Sequence, residues 1–456
     1  MQDTPRGSRI HIALFGRRNA GKSSLINALT RQNLAIVSPV AGTTTDPVYK
    51  SMEILPIGPV VLIDTAGLDD DGVLGHQRVQ KSLAVLDKTD LALLVVDGQQ
   101  SLGTTEQSLI EAARQRKLPV IGVLNKTDLK PQPPAGDRKT ELAKSPRPGM
   151  ETNGLAASPV SGNVPTADLA AQPAASVDQA AGPDTQPEPG IPWIKVSAVT
   201  GQGLAELKQA IIKHAPTDWA EPTIAADLVS PGELVLLVTP IDKAAPKGRL
   251  ILPQVQTIRD LLDHGCLNMV VRETELKAAL GRLSQPPALV ITDSQVFKEV
   301  DAIIPGSVPL TSFSILFARY KGELTTLVEG ALAVERLQPG DKVLIAEACT
   351  HHRQEDDIGT VKIPRWLRQK VGGELQFDWC SGAALPPGLA RYKLVVHCGA
   401  CMINRREMLS RIISARSEGV PVVNYGVLIA YMLGILPRAL APLARYTDLQ
   451  NLLKDY

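Results

Sequence analysis

Gly16-Arg17-Arg18-Asn19-Ala20-Gly21-Lys22-Ser23 is the stretch on which the reading of this 456-residue chain turns. It follows directly on Arg9 to Phe15, an apolar run of strand character, and leads into Ser24 to Thr30, whose pattern is helical. Two glycines let backbone N–H groups wrap phosphate oxygens, and the helix N-terminus adds partial positive charge. Lys22 has the reach for the β- and γ-phosphates, and the Ser23 hydroxyl suits Mg²⁺. The spacing G-x4-G-K-S in a strand–loop–helix setting therefore predicts a phosphate-cradling loop on a parallel α/β sheet.

The segments downstream name the nucleotide. Ala41-Gly42-Thr43-Thr44-Thr45-Asp46 can close over a γ-phosphate and its metal ion. Val60 to Ile63 reads as a strand ending in Asp64-Thr65-Ala66-Gly67, where Asp64 would hold the metal through water and the Gly67 N–H would sense the γ-phosphate. Leu91 to Val96 and Val120 to Leu124 are further strands. The second ends in Asn125-Lys126-Thr127-Asp128, and a carboxylate there can accept the paired N–H donors of guanine that adenine lacks. Trp193 to Val196 leads into Ser197-Ala198, where a backbone N–H can meet the guanine O6. The GTP-binding set is thus Gly16, Asn19, Ala20, Gly21, Lys22, Ser23, Ser24, Asn125, Lys126, Asp128, Ser197 and Ala198, with Lys22, Asp64 and Gly67 serving hydrolysis.

A second constellation sits near the C-terminus. Lys342 to Ala346 and Tyr392 to Val396 read as buried strands leading to Cys349-Thr350-His351-His352 and His397-Cys398-Gly399-Ala400-Cys401. In one parallel sheet both runs would lie at strand carboxyl ends, where open α/β sheets place their sites. Ile403 to Glu418 has helical character and Gly419 suits its C-cap. Three thiols with neighbouring imidazoles suit zinc in Cys3His ligation, or an iron–sulfur cluster with an exchangeable fourth position; buried packing is the plain alternative. Spacing alone leaves these open. Cys266 and Cys380 read as packing residues. Arg405, Arg406, Arg411 and Arg416 read as a solvated helix face, with steering of an anionic cluster or an acidic partner by some of them as the sharper reading.

Composition bounds the rest. Net charge is +1 and only 4% of residues are aromatic, so no electrostatic footprint for nucleic acid or an anionic membrane exists and the cores must be aliphatic. Five cysteines over this length argue against a disulfide framework and fit a cytoplasmic setting. Val420 to Leu436 is apolar but interrupted by Pro421, Asn424 and Gly426, so it reads as a strand and a core helix, not a membrane span. Three domains are expected. Residues 8–216 form the GTPase domain, in which 131–192 holds 12 of the 35 prolines and reads as a disordered insertion. Residues 223–305 form a small, chemically silent α/β unit suited to self-association. Residues 308–456 form an α/β, Rossmann-like unit carrying the cysteines.

The GTPase motifs resemble those of TrmE-Era-like GTPases. That resemblance implies Thr44 as the metal-binding threonine. It also implies Asn19 as the ligand of a K⁺ ion standing in for an arginine finger, although an ordinary loop role for Asn19 is the alternative. Leu68 replaces a water-orienting glutamine, so slow basal hydrolysis is expected. The whole order of motifs, ending in Cys-x-His, 45 residues and His-Cys-x-x-Cys, resembles the FeFe-hydrogenase maturation GTPases. The resemblance implies a 4Fe-4S cluster on Cys349, Cys398 and Cys401, with His351 and His397 as less secure ligands. It implies a homodimer or higher oligomer formed through the middle unit. It further implies a two-iron precursor as cargo, radical-SAM maturases and apo FeFe-hydrogenase as partners, and neither nucleic acid nor membrane. The rivals are a GTPase of RNA modification or ribosome assembly, and a regulatory GTPase with structural zinc.

Overall fold

The computed structural model describes residues 5–30, 47–68, 82, 84–129, 190–216, 223–241, 250–348, 357–382, 385–444 and 449. Within them, three sheets succeed one another along the chain. The first contains β1 (Ile10–Phe15), β2 (Val48–Ile54), β3 (Gly58–Asp64), β4 (Leu91–Asp97), β5 (Val120–Asn125) and β6 (Trp193–Lys195), in the order β2-β3-β1-β4-β5-β6. Only β2 runs antiparallel, against β3.

All of β1 is buried, and its side chains alternate between the two faces of the sheet. Ile10, Ile12 and Leu14 pack with Leu25, Ile26 and Leu29 of the helix Lys22–Thr30 and with Leu207 and Ile211 of the helix Leu204–His214. Ala13 and Phe15 face the other way, toward Leu109 and Ile110 of the helix Thr104–Gln115. Burial on both faces explains why β1 reads as a continuous apolar run, and each large aliphatic there contributes about 1.5–3 kcal/mol. The chain winds to β3 on one side of β1 and to β4 on the other, so the loop after β1 opens at a switch point of the sheet.

The second sheet contains β7 (Leu234–Val238), β8 (Leu267–Val271), β9 (Leu289–Thr292) and β10 (Leu310–Ser312), all parallel in the order β10-β9-β7-β8. The third contains β11 (Lys342–Glu347), β12 (Gln376–Ser381), β13 (Leu394–His397) and β14 (Val422–Asn424), all parallel in the order β12-β11-β13-β14. The two sheets wind identically, with the reversal falling between the first and third strand of each. One continuous apolar core joins them, running from Ile224 and Leu236 through Phe317 and Leu327 to Val395 and Leu436.

Two differences from the sequence reading have simple causes. The middle sheet takes in Leu310–Ser312, beyond the expected limit at residue 305; three residues are too few to show a period. The edge strand β2 is not legible in sequence because Lys50 breaks the alternation of Val48, Met52 and Ile54, and all of the strand but Ile54 is partly or fully exposed. The expected insertion at 131–192 falls almost wholly on residues 130–189, outside the described residues. Among the described residues no helix is long and apolar enough to cross a membrane.

Candidate functional site

The loop between β1 and the helix Lys22–Thr30 is shaped by its glycines. Gly21 has φ +91°, and a Cβ there would come within 2.2 Å of the Asn125 amide. Asn19 also occupies the left-handed region, at φ 60°, which asparagine tolerates better than most residues. The Lys22 ammonium is held by the carbonyls of Gly16 at 2.8 Å and Arg17 at 2.9 Å. Leu68 donates its N–H to the Gly16 carbonyl at 3.3 Å, which draws the Asp64–Gly67 segment against the loop.

Ser23 Oγ donates to Asp64 Oδ2 at 2.5 Å, while Asp64 Oδ1 is buried without a hydrogen-bond partner. Burial pushes the Asp64 carboxyl up, against the pull of Ser23 and then of Lys22 and Lys50. An orphaned buried acceptor beside a metal-binding hydroxyl fits a hydrated divalent cation, which would satisfy Oδ1 through water. Asn125 joins three of the expected segments. Its Nδ2 donates to the Ala20 carbonyl at 2.9 Å, and its Oδ1 accepts the Ala198 N–H at 3.2 Å. Lys126 Nζ lies 2.7 Å from Asp97 Oδ2, Ser197 is buried and Asp128 is exposed. A cavity of about 100 Å³ lies beside the loop, lined by Asn19, Ala20, Asp97 and Lys126 among others. Thr44 lies outside the described residues.

The sulfur site is built at the switch point of the third sheet. Ala346 of β11 stands in register with Cys380 of β12 on one side and His397 of β13 on the other. Cys398 donates its N–H to the Ala346 carbonyl at 2.9 Å, and Ala348 donates its N–H to Cys398 Sγ at 3.2 Å. The chain thus enters Cys349 from a residue already bonded to the Cys398 sulfur. Cys349, His351 and His352 fall within 349–356, outside the described residues, and among the described residues no three His, Cys, Asp or Glu side chains are gathered for a metal ion. Ala400 takes φ 55°, a left-handed turn between the paired cysteines.

Burial pushes the Cys398 thiol up, opposed by N–H groups of Ala348 and Ala400 and by Arg411; burial likewise raises Cys401, and Cys398 adds to it. Two half-buried cysteines with N–H donors aimed at one sulfur fit a soft metal or a thiolate-bound cluster, which displaces the thiol protons on binding. The helix Arg405–Ser417 begins one turn later than the C-x-x-C pair, capped by Asn404.

The solvated face expected for its arginines is found in part: Arg405 and Arg416 are exposed, Arg406 is half-buried and Arg411 is buried, and each has a fixed partner. Arg405 donates to the Tyr320 carbonyl at 2.7 Å, Arg406 to the Arg116 carbonyl at 2.8 Å and Arg416 to Thr326 Oγ1 at 3.0 Å. Arg411 is 5% exposed and donates to His397 Nε2 at 2.8 Å. A guanidinium can only donate, so Nε2 accepts and the proton sits on Nδ1, which donates to the Cys398 carbonyl at 2.8 Å. Both ring nitrogens of the expected ligand His397 are therefore engaged. Sequence reasoning named Arg411 only as one of four arginines with a steering role and missed Asn404, although Glu407 and Arg411 stand at an i,i+4 spacing that signals a pair.

The two sites are linked. Lys321, 2% exposed, donates to the Gly7 carbonyl at 2.7 Å and to the Ile403 carbonyl at 3.1 Å. Asn404 donates to the Lys88 carbonyl at 2.9 Å.

Fold and site together define a P-loop GTPase domain followed by two identically wound parallel units, the last with a thiol pair at its switch point. Three family models match the chain in succession: the 50S ribosome-binding GTPase over residues 11–126, the hydrogen maturase F dimerization domain over 224–322, and the hydrogen maturase F tetramerization domain over 325–442. The chain belongs to the hydrogen maturase F family. Its last unit is described in that family by assembly, not by a cluster.

The GTPase stretch is 42% identical over 121 residues to the tRNA modification GTPase MnmE of Chromobacterium violaceum, covering 26% of each chain. It is 39% identical over 122 residues to GTPase Der of Mycoplasmopsis pulmonis, covering 26% of this chain and 28% of that one. The chain thus spans about a quarter of the length of these relatives. Among solved structures, a variant of Era from Aquifex aeolicus bound to GDP.AlF4- is 19% identical, with a TM-score of 0.31, covering 57% of this chain and 92% of that one.

Proposed function

We propose that this protein is a slow GTPase that holds a 4Fe-4S cluster and carries a two-iron precursor, received from radical-SAM maturases, to apo FeFe-hydrogenase. Lys22 contacts the β- and γ-phosphates, Ser23 and Thr44 hold Mg²⁺, Asp64 holds a water on that ion, and the Gly67 N–H reads the γ-phosphate. Asn19 is the K⁺ ligand. Asp128 and the Ala198 N–H select guanine. Cys349, Cys398 and Cys401 are the cluster ligands, leaving a fourth position open for exchange. The GTPase domain spans 8–216 and the cluster domain begins near 308; the middle unit joins two copies of the chain.

The observation that carries this reading is the hydrogen bond from Ala348 N–H to Cys398 Sγ at 3.2 Å. It supports the convergence of two cysteine runs separated by almost fifty residues of chain. The two domains of the hydrogen maturase F family support the maturation role over the RNA role of the GTPase relatives, and the net charge of +1 gives no overall electrostatic case for RNA.

GTP acts as a switch. γ-Phosphate contacts would order the segments around Thr44 and after Gly67, and hydrolysis would release them. Lys321 and Asn404 give that change a route to the residues following Cys401. The test is purification without oxygen, followed by assay of iron, sulfide and zinc. Iron and sulfide near four each per chain are expected; zinc without iron overturns the cluster and supports a structural zinc.

A further inference from the structure

We propose that Arg411 is a positioning residue of the sulfur site. It is a buried guanidinium fixed as counter-cation to the thiolate-bound cluster, with His397 as its spacer and not a ligand. The inference rests on the iron–sulfur reading above and adds Arg411, which no cysteine motif contains.

The geometry is that of a cation held in place. Arg411 donates to His397 Nε2 at 2.8 Å from one side and to the Gly382 carbonyl at 2.5 Å from the other. These partners close β13 and β12, the two strands flanking β11. The guanidinium is therefore locked behind the strand ends from which the cysteines emerge. Its Nε is buried without a hydrogen-bond partner in the structure. Among the described residues the carboxylate paired with it is Glu407, at 3.2 Å, and burial pushes that carboxyl up. Burying a guanidinium is costly unless anions compensate it, and one strained pair with two neutral acceptors is a thin compensation. Thiolates at Cys398 and Cys401 holding a cluster would supply the missing negative charge. The same cation then favours the more negative, reduced state of that cluster, since charge is weakly screened in a buried site.

The experiment uses full-length protein reconstituted without oxygen, with iron and sulfide content, EPR spectrum and midpoint potential measured in parallel. Arg411→Gln is expected to keep the iron and move the potential to more negative values; Arg411→Lys, which keeps the charge, stays near the wild type. Glu407→Gln, which removes the opposing carboxylate, moves the potential the other way. His397→Gln keeps an acceptor for Arg411 and is expected to leave iron content and EPR spectrum unchanged. Should Arg411→Gln fail to fold, Glu407→Gln and His397→Gln carry the test. Wild-type potentials in both charge-removing variants overturn the inference, as does loss of iron or an altered spectrum in His397→Gln. A wild-type protein that takes up no iron overturns the underlying reading, and the inference with it.

Discussion

Asn404 and Lys88 join the cysteine loop to the GTPase domain through one side chain. The Asn404 amide donates to the Lys88 carbonyl at 2.9 Å, and its Oδ1 accepts the Glu407 N–H at 2.9 Å, capping the helix that follows Cys401. Asn404→Ala removes both bonds and should cost about 1–2 kcal/mol in denaturant unfolding. Asn404→Ser keeps a capping acceptor and loses the bond to Lys88, so its cost should be the smaller. An alanine variant as stable as the wild type contradicts the assignment.

Under the proposed mechanism Asp64 trades stability for metal binding. Its carboxylate is buried with one oxygen unsatisfied, so the charged form is held at a cost until a cation arrives. Asp64→Asn should leave the nucleotide-free protein equally or more stable, yet lower Mg²⁺-dependent GTP turnover by on the order of 10²-fold or more. Thermal unfolding without nucleotide, set beside turnover at saturating Mg²⁺, checks both halves.

Two buried groups give opposing pH dependences. Burial pushes the Asp90 carboxyl from 3.8 up to about 6, so its contribution to stability is complete below 3.8 and is lost as pH rises through about 6. Burial, and then Arg411, push the His397 imidazole from 6.5 down to about 4; its contribution is complete above 6.5 and is lost as pH falls through about 4. At about 1.4 kcal/mol per pH unit each is worth on the order of 3 kcal/mol, and between these limits they offset one another. Asp90→Asn should therefore grow more stable from pH 4 to 6.5, and His397→Gln less stable. Urea midpoints across that range give both signs.

The outer strand of the middle sheet is an edge with apolar side chains in solvent. Leu267 is 57% and Val270 43% exposed on β8, which pairs only with β7 among the described strands. A second copy of the chain is the expected cover, given the dimerization family of this unit. Replacing both residues with lysine should weaken self-association by on the order of 10²-fold. Sedimentation showing unchanged mass would contradict that.

Where the sequence was readable, the cause is periodicity or tight spacing. Both-face burial makes β1, β4, β5, β7 and β13 continuous apolar runs, and the phosphate loop needs its glycines at set intervals. What escaped is set by tertiary neighbours. No local pattern tells that Arg411 is buried while Ile413, two residues on, is 65% exposed. Nor does any run of residues announce that Asn404 faces Lys88, because that bond joins two domains. The identical winding of the second and third sheets is also invisible in sequence, since β10 has only three residues and β12 is mostly exposed.

The central claim is that two distant cysteine runs close on one iron–sulfur cluster in a molecule that also turns over GTP. The direct measurement is iron and sulfide per chain in oxygen-free Cys398→Ala, with GTP turnover assayed on the same preparation. The account expects turnover at the wild-type rate and iron reduced to background. Full iron and sulfide in that variant would contradict it.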